Sequence, residues 1–391
     1  GKIVCWGNAS AGGTGGPSDS GYETIVATDT AFAALKSDGS ITAWGNSATG
    51  GTGAPTDAGY VEIISHGSAF AARKADGSIT SWGNSEYGGS GAPTGSGYTQ
   101  IAATSQAFAA LAADGSITSW GSSSRGGTGA PASLGHTQIF SNDYAFAAIQ
   151  DDGEISTWGS SSFGGSGGPS GTGHTEIFST SRAFAALNSS GVISTWGDDY
   201  YGGDGGPSSG GWTDIASNWG AFAALSSGGT ITSWGDSSYG GTYSDPPSGS
   251  GYVSITSNNL AFAALKNDGT IHSWGSSNAG GTSDGYPGYS MAPGDSGYTQ
   301  VFANDQAFAA LKSDGSITSW GNNGYGGILT PSASGHTQIF SNAYAFAALQ
   351  GDGAISTWGD TDDGGSGGPS GTGYTEIFST SQAFAALNSS G

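Results

Sequence analysis

One phrase, Ala31-Phe-Ala-Ala-Leu-Lys-Ser-Asp-Gly-Ser-Ile-Thr-Ala-Trp-Gly45, recurs with light edits along the whole chain and limits its fold more than any other feature. The aligned tryptophans are Trp6, Trp44, Trp82, Trp120, Trp158, Trp196, Trp234, Trp274, Trp320 and Trp358, which makes ten repeats. Their spacing is 38 residues, stretching to 40 between Trp234 and Trp274 and to 46 between Trp274 and Trp320. A fixed period in this range marks a solenoid, a propeller or an array, in which no single unit buries its own apolar face.

Ala31-Phe32-Ala33-Ala34-Leu35 is apolar at every position. It is too short for a helix before Asp38-Gly39 ends it, so it reads as a strand covered on both faces. Asp38-Gly39 predicts a hairpin, both residues tolerating the positive φ of tight turns. The return strand alternates, Ile41 and Ala43 on one face and Thr42 and Trp44 on the other, as suits a strand nearer the sheet edge. A third strand precedes the phrase, as in Tyr98–Ala102, after a breaker-rich loop such as Gly-Gly-Thr-Gly-Ala-Pro. The expected fold is therefore all-β and β-propeller-like, with ten repeats of three- to four-stranded antiparallel blades in one domain spanning residues 1–391.

The chain begins with the second half of a hairpin and ends, at Ala383–Gly391, with the first half of one. A closed ring in which the N-terminal strand completes the last blade is expected, with an open superhelical stack as the alternative. Residues 141–191 and 341–391 are near-identical at an offset of 200, so a block of five repeats reads as duplicated. That duplication favours a segment of a longer array.

Glycine supplies 75 of 391 residues, yet 12 Trp, 16 Tyr and 16 Phe argue for a packed chain. The formal charge of −22, from 30 acidic and 8 basic residues, excludes nucleic acid as the expected partner, because phosphate binding needs clustered Lys and Arg. No apolar run reaches the length of a membrane span, so no membrane insertion is expected. Cys5 is the single cysteine.

The pattern of Ala107-Phe-Ala-Ala-Leu111, Asp114-Gly115, Ser116-Ile-Thr-Ser-Trp-Gly121 and Asn84-Ser-Glu-Tyr-Gly-Gly89 resembles the regulator of chromosome condensation repeat family. The short repeat is similar to the bacterial β-lactamase inhibitory propellers of that family. The resemblance implies a β-propeller and a scaffold that binds proteins through its loops. The family's Gln-Leu-Gly is replaced here by Gly-Thr-Gly-Ala-Pro, its strand-opening histidine is absent, and ten units exceed the common seven. Guanine-nucleotide exchange and chromatin attachment are accordingly not expected.

Nothing in the polar residues stands apart from the repeat. His136, His174 and His336 occupy the place of Tyr60, Tyr98, Tyr252, Tyr298 and Tyr374, and read as packing residues without ligand spacing. No Ser, His and Asp set is singular, so no enzyme and no cofactor are expected. Asp198-Asp199 with Asp204, and Asp360 with Asp362-Asp363, offer oxygen ligands for calcium but lack a closing glutamate, so solvated acidic turns are the simpler reading.

The candidate binding residues are the loop aromatics Tyr87, Phe163, Tyr201, Tyr239 and Tyr325, which follow Trp-Gly, with Tyr286 and Tyr289 of the longest insertion. Asn8, Asn188 and Asn388 open glycosylation sequons. The expected function is a non-enzymatic extracellular or cell-surface scaffold whose loop aromatics contact a protein or glycan. The alternative is a structural segment of an extracellular filament, sheath or appendage, self-associating end to end.

Overall fold

In a computed structural model the described residues are 3, 5, 8–242, 246–281, 289–379 and 384–388. The Ala-Phe-Ala-Ala runs from Ala31 to Ala348 are each the middle strand of an antiparallel meander, and the meanders packed on either side cover their apolar faces. In the third blade the strands are Tyr98–Ala103, Ala107–Ala112 and Ile117–Gly121, paired in that order. The fourth repeats them as His136–Ser141, Ala145–Gln150 and Ile155–Gly159. Among the described residues there are eight such three-stranded sheets, one of four strands and one of two. The four-stranded sheet gains Tyr289–Ser290, which pairs with Asn322 and Gly321.

The chain divides into two compact units, Gly1–Ser189 with Ser194–Asp199, and Ser190–Ile193 with Tyr200–Gly391. Within each unit successive meanders stack face to face. Phe108 and Ala110 join Ile101 and Trp120 against Ala69, Ala71 and Ile79 of the preceding blade. Ala107, Ala109 and Leu111 of the same strand turn the other way, onto Ile139, Phe146, Ala148 and Trp158 of the next. Alternation along one strand thus feeds two cores, and alanine lets the sheets approach while phenylalanine fills the gap. Phe108 is wholly buried, worth about 2 kcal/mol by its area alone, and stacks on Trp120 with centroids 5.4 Å apart.

Polar bonds tie the blades at both ends. At the hairpin end, Gly77 accepts from the Tyr98 amide of the next repeat through its carbonyl at 3.3 Å. A Cβ at Gly77 would lie 2.4 Å from that amide nitrogen, and φ is +84°, so glycine is required twice over. Gly39 takes the same conformation, whereas Asp38 does not have positive φ. The hairpin expected at Asp38-Gly39 is there, with the positive φ taken by the glycine alone. The aspartate instead accepts from the Ser40 amide at 2.9 Å and from its hydroxyl at 2.7 Å, holding the turn in place.

At the opposite end, the Asp143 carbonyl accepts from Ser105 N at 3.1 Å and Asp143 N donates to Ser181 O at 3.3 Å, so backbone bonds run from blade to blade. Gln100 adds a two-bond clamp on the Ile139 backbone, at 2.8 and 2.9 Å. Trp6, Ala383 and most other terminal residues lie outside the described residues. So do the pairings that distinguish a closed ring from an open superhelical stack.

Candidate functional site

After every described third strand except Ile355–Gly359, which ends in a plain turn, the chain makes one turn of 3-10 helix and stops on a left-handed glycine. In Ser85–Tyr87 the Asn84 side chain accepts from the Glu86 amide at 2.9 Å, and Gly88 closes the turn at φ 98°. The Gly88 carbonyl then accepts from Trp120 Nε1 of the next blade at 3.1 Å, inside the core. The same bond recurs from Trp44 to Gly12, Trp82 to Gly50, Trp158 to Gly126, Trp196 to Gly164, Trp234 to Gly202, Trp274 to Gly240 and Trp320 to Gly280. Each of these tryptophans therefore fixes the turn of the preceding repeat, whereas Trp358 Nε1 makes no such bond.

A second lock comes from the residue two before Ser68, Tyr144 and their equivalents, a position the sequence reading did not single out. Asn142 donates to the Phe163 carbonyl at 2.8 Å while its Oδ1 accepts from the amides of Tyr144 and Ala145. Thr104 donates to the Arg125 carbonyl at 3.0 Å. His66 Nε2 donates to the Tyr87 carbonyl at 2.7 Å, leaving Nδ1 to accept from Ser68 N at 3.2 Å. Burial pushes the His66 imidazole below its ordinary value, the bond to Tyr87 opposing. The remaining histidines at the tyrosine position are likewise satisfied: His136 Nδ1 donates to the Gly115 carbonyl at 3.0 Å and Nε2 takes the Ser156 hydroxyl at 3.1 Å.

Within each unit these locks present the last residue of each 3-10 turn at one edge of its stacked blades. Tyr87, Phe163, Tyr201, Tyr239 and Tyr325 all stand there, half-buried. Phe163 meets Tyr144 at 4.5 Å between centroids, and Tyr325 meets Tyr344 at 5.1 Å. Tyr201 meets the exposed Tyr200 edge-on at 5.6 Å. The Asp236 carboxylate beside Tyr200 raises its phenol above the ordinary value. Tyr239 and Tyr325 also rest against the blade cores, Tyr239 covering Gly220. Tyr144, Tyr344 and Tyr200 were missed by the sequence reading. The signal for the first two is the variable position just before each Ala-Phe.

Tyr286 lies outside the described residues, and Tyr289 is described as backbone only. Asn8 is exposed and uses its side chain to cap the turn Ala9–Ala11, accepting from the Ser10 amide at 2.9 Å. Asn188 ends a middle strand, half-buried, and Asn388 ends the strand Phe384–Asn388. Among the described residues no three of His, Cys, Asp or Glu gather as metal ligands, and the acidic turn at Asp360 is capped by its own Asp362 amide at 2.9 Å.

Residues 298–326, which hold a first strand, the Ala-Phe strand, the hairpin, Trp-Gly and the turn to Gly326, match the Regulator of chromosome condensation (RCC1) repeat. This stretch is an RCC1 repeat. The other meanders share its strand register, pairing Ala107 with Gly121 and Phe108 with Trp120 as Ala307 pairs with Gly321 and Phe308 with Trp320. They are antiparallel meanders built in the same way as the matched repeat. Among solved structures, the ectodomain of the Physcomitrella patens receptor kinase CR4 is similar at 19% identity, over 68% of this chain and 76% of that one, with a TM-score of 0.40. The ectodomain of the Arabidopsis thaliana receptor kinase ACR4 is similar at 17%, over 67% and 95%, with a TM-score of 0.38. Prp20p from Saccharomyces cerevisiae is similar at 16%, over 68% and 72%, with a TM-score of 0.36. No curated protein sequence matches the chain.

Proposed function

We propose that the protein is a non-enzymatic interaction scaffold, acting outside the cell or at its surface, which contacts a protein or glycan through the edge formed by the 3-10 turns. The observation that carries this reading is the contrast between a constant frame and a varied edge. From Trp44 to Trp320 the tryptophan keeps its bond to the turn glycine, and Asn, Thr or His at the linking position bonds the turn carbonyl in blade after blade. The residue those bonds present changes from Tyr87 to Arg125, Phe163, Tyr201, Tyr239, Ala279, Tyr325 and Asp363. Half-buried tyrosines held by backbone bonds bring large contact area with little side-chain entropy left to lose.

The test is a protein and glycan array probed with the intact chain and with a Tyr87→Ser, Phe163→Ser, Tyr201→Ser variant. Signals kept by the intact chain and lost by a folded variant support the scaffold, and signals equal for both refute it. The near-identity of residues 141–191 and 341–391 favours a second reading, a segment of a self-associating filament. Light scattering that rises with protein concentration in the absence of any ligand supports that reading instead.

A further inference from the structure

The fold holds its own lysines in a recurring way. Tyr22, Tyr60 and Tyr298 donate their hydroxyls to Asp19, Asp57 and Asp295 at 2.9, 3.1 and 2.9 Å. Lys36, Lys74 and Lys312 pair with those aspartates and lie over the tyrosine faces, 4.9, 5.0 and 4.7 Å from the ring centres. A phenol that donates to a carboxylate has a more electron-rich ring, so each Tyr–Asp pair holds a cation well.

A pair of the same kind stands on the 3-10 edge. The Tyr200 hydroxyl bonds to the Asp236 carboxylate, which is buried and also accepts from the Ser238 amide at 2.8 Å. Two more aromatics adjoin it. Tyr239 is near Tyr200, and its ring lies on Gly220, where a Cβ would be 2.7 Å from Tyr239 Cδ2. Trp219 is the residue before that glycine. Trp219 is 61% exposed and Tyr200 62%, which is the area left in water after every contact within the chain is made. Neither ring belongs to the frame. Sister repeats carry Ser124 and Ser162 at the place of Tyr200, and Ser105 and Ser181 at the place of Trp219. The blade of Trp219 pairs Ala221 with Gly235 as the blade of Ser105 pairs Ala107 with Gly121, so the register is indifferent to the exchange.

We infer that Tyr200 and Trp219 bind a lysine side chain in a basic segment of a partner protein. This rests on the scaffold reading and names the partner's chemistry. The Tyr–Asp pair is the device that holds lysine elsewhere in this chain, and Trp219 adds the ring face that attracts a cation most strongly. From Tyr200 to Gly391 the basic residues are Lys266 and Lys312, which lie over Tyr252 and Tyr298 of their own blades. A chain of charge −22 draws a basic segment toward it and repels a second copy of itself. A neutral glycan would gain the ring faces and nothing from that charge.

Titration with acetyl-tetralysine amide at physiological salt, followed on the indole N–H signals of a nitrogen-15 NMR spectrum, is expected to move the Trp219 signal. Trp120 and Trp158, bonded inside the core, are expected to stay in place. The deciding variants, Tyr200→Ser and Trp219→Ser, keep the net charge and so separate ring contact from general attraction. Each is expected to weaken peptide binding, read by calorimetry, about three- to fivefold, with the Trp120 signal unchanged as proof of fold. Equal affinity of the parent and both variants, or no binding, overturns the site. A Trp219 signal that moves with cellohexaose and not the peptide, or with protein concentration alone, overturns the choice of occupant. Array signals lost through Tyr87 or Phe163 while Trp219 stays silent would overturn this site and leave the scaffold reading standing.

Discussion

Replacing Trp120 and Trp358 by phenylalanine, one at a time, separates the hydrogen-bonded part of the blade lock from its packing. Both indoles are almost fully buried and both stack on a phenylalanine of their own blade, Phe108 at 5.4 Å and Phe346 at 5.3 Å. They differ in one bond. Trp120 Nε1 donates to Gly88 at 3.1 Å, whereas Trp358 Nε1 has no partner among the described residues. Each substitution leaves a similar void, so the packing loss cancels in the comparison. Trp120→Phe also abandons a buried carbonyl, at about 1–3 kcal/mol, while Trp358→Phe removes an unsatisfied donor. Trp120→Phe is therefore expected to be the more destabilising by at least about 1–3 kcal/mol. Because repeat arrays need not unfold in one step, the assay is hydrogen exchange of the two blades alongside urea unfolding. Equal losses at the two sites would refute the claim that the indole bond holds the turn.

Two further outcomes follow from single residues. Leu329 has φ 65° where Gly53, Gly91 and Gly129 stand in sister repeats, and it is 82% exposed. Leu329→Gly should relieve left-handed strain and stabilise by up to about 1 kcal/mol, and a lower thermal midpoint would contradict that. His66 has its pKa lowered by burial, and so does His272, so the unfolded chain takes up protons first. Their contribution is present above the unfolded value near 6.5 and is lost as pH falls through the lowered folded values. His66→Asn keeps the donor to Tyr87 and should flatten part of that acid dependence in urea titrations between about pH 5 and 7.

Much of the frame is legible in the letters. An apolar run at every position, as in Ala107–Leu111, has to be covered on both sides, and Trp at the end of an alternating strand marks the edge. The hairpin was legible in place, and which of its residues takes the positive φ was not, since the same Asp-Gly serves a turn with one or with two positive φ values. The linking position was hidden because Thr104, His66 and Asn142 share no chemical type. What they share is a backbone carbonyl 21 residues ahead, to which no letter corresponds. The patch at Trp219 was hidden for a related reason. Tyr200, Trp219 and Tyr239 sit at three different places in two successive repeats and meet only when blades stack. The strain at Leu329 was legible by aligning it with Gly53, because a branched residue in a glycine place has only unfavourable ways to fit.

The central claim is that function lies on the 3-10 edge of an otherwise constant frame. Hydroxyl-radical footprinting of the chain, alone and with whichever ligand the array returns, tests it most directly. Protection confined to Ser85–Tyr87, Ser123–Arg125, Ser161–Phe163, Ser237–Tyr239 and their neighbours at 142–144, 200–201 and 219–220 is the predicted result. Protection centred instead on the opposite hairpin ends, at Asp76-Gly77, Asp114-Gly115 and Asp152-Gly153, would contradict it.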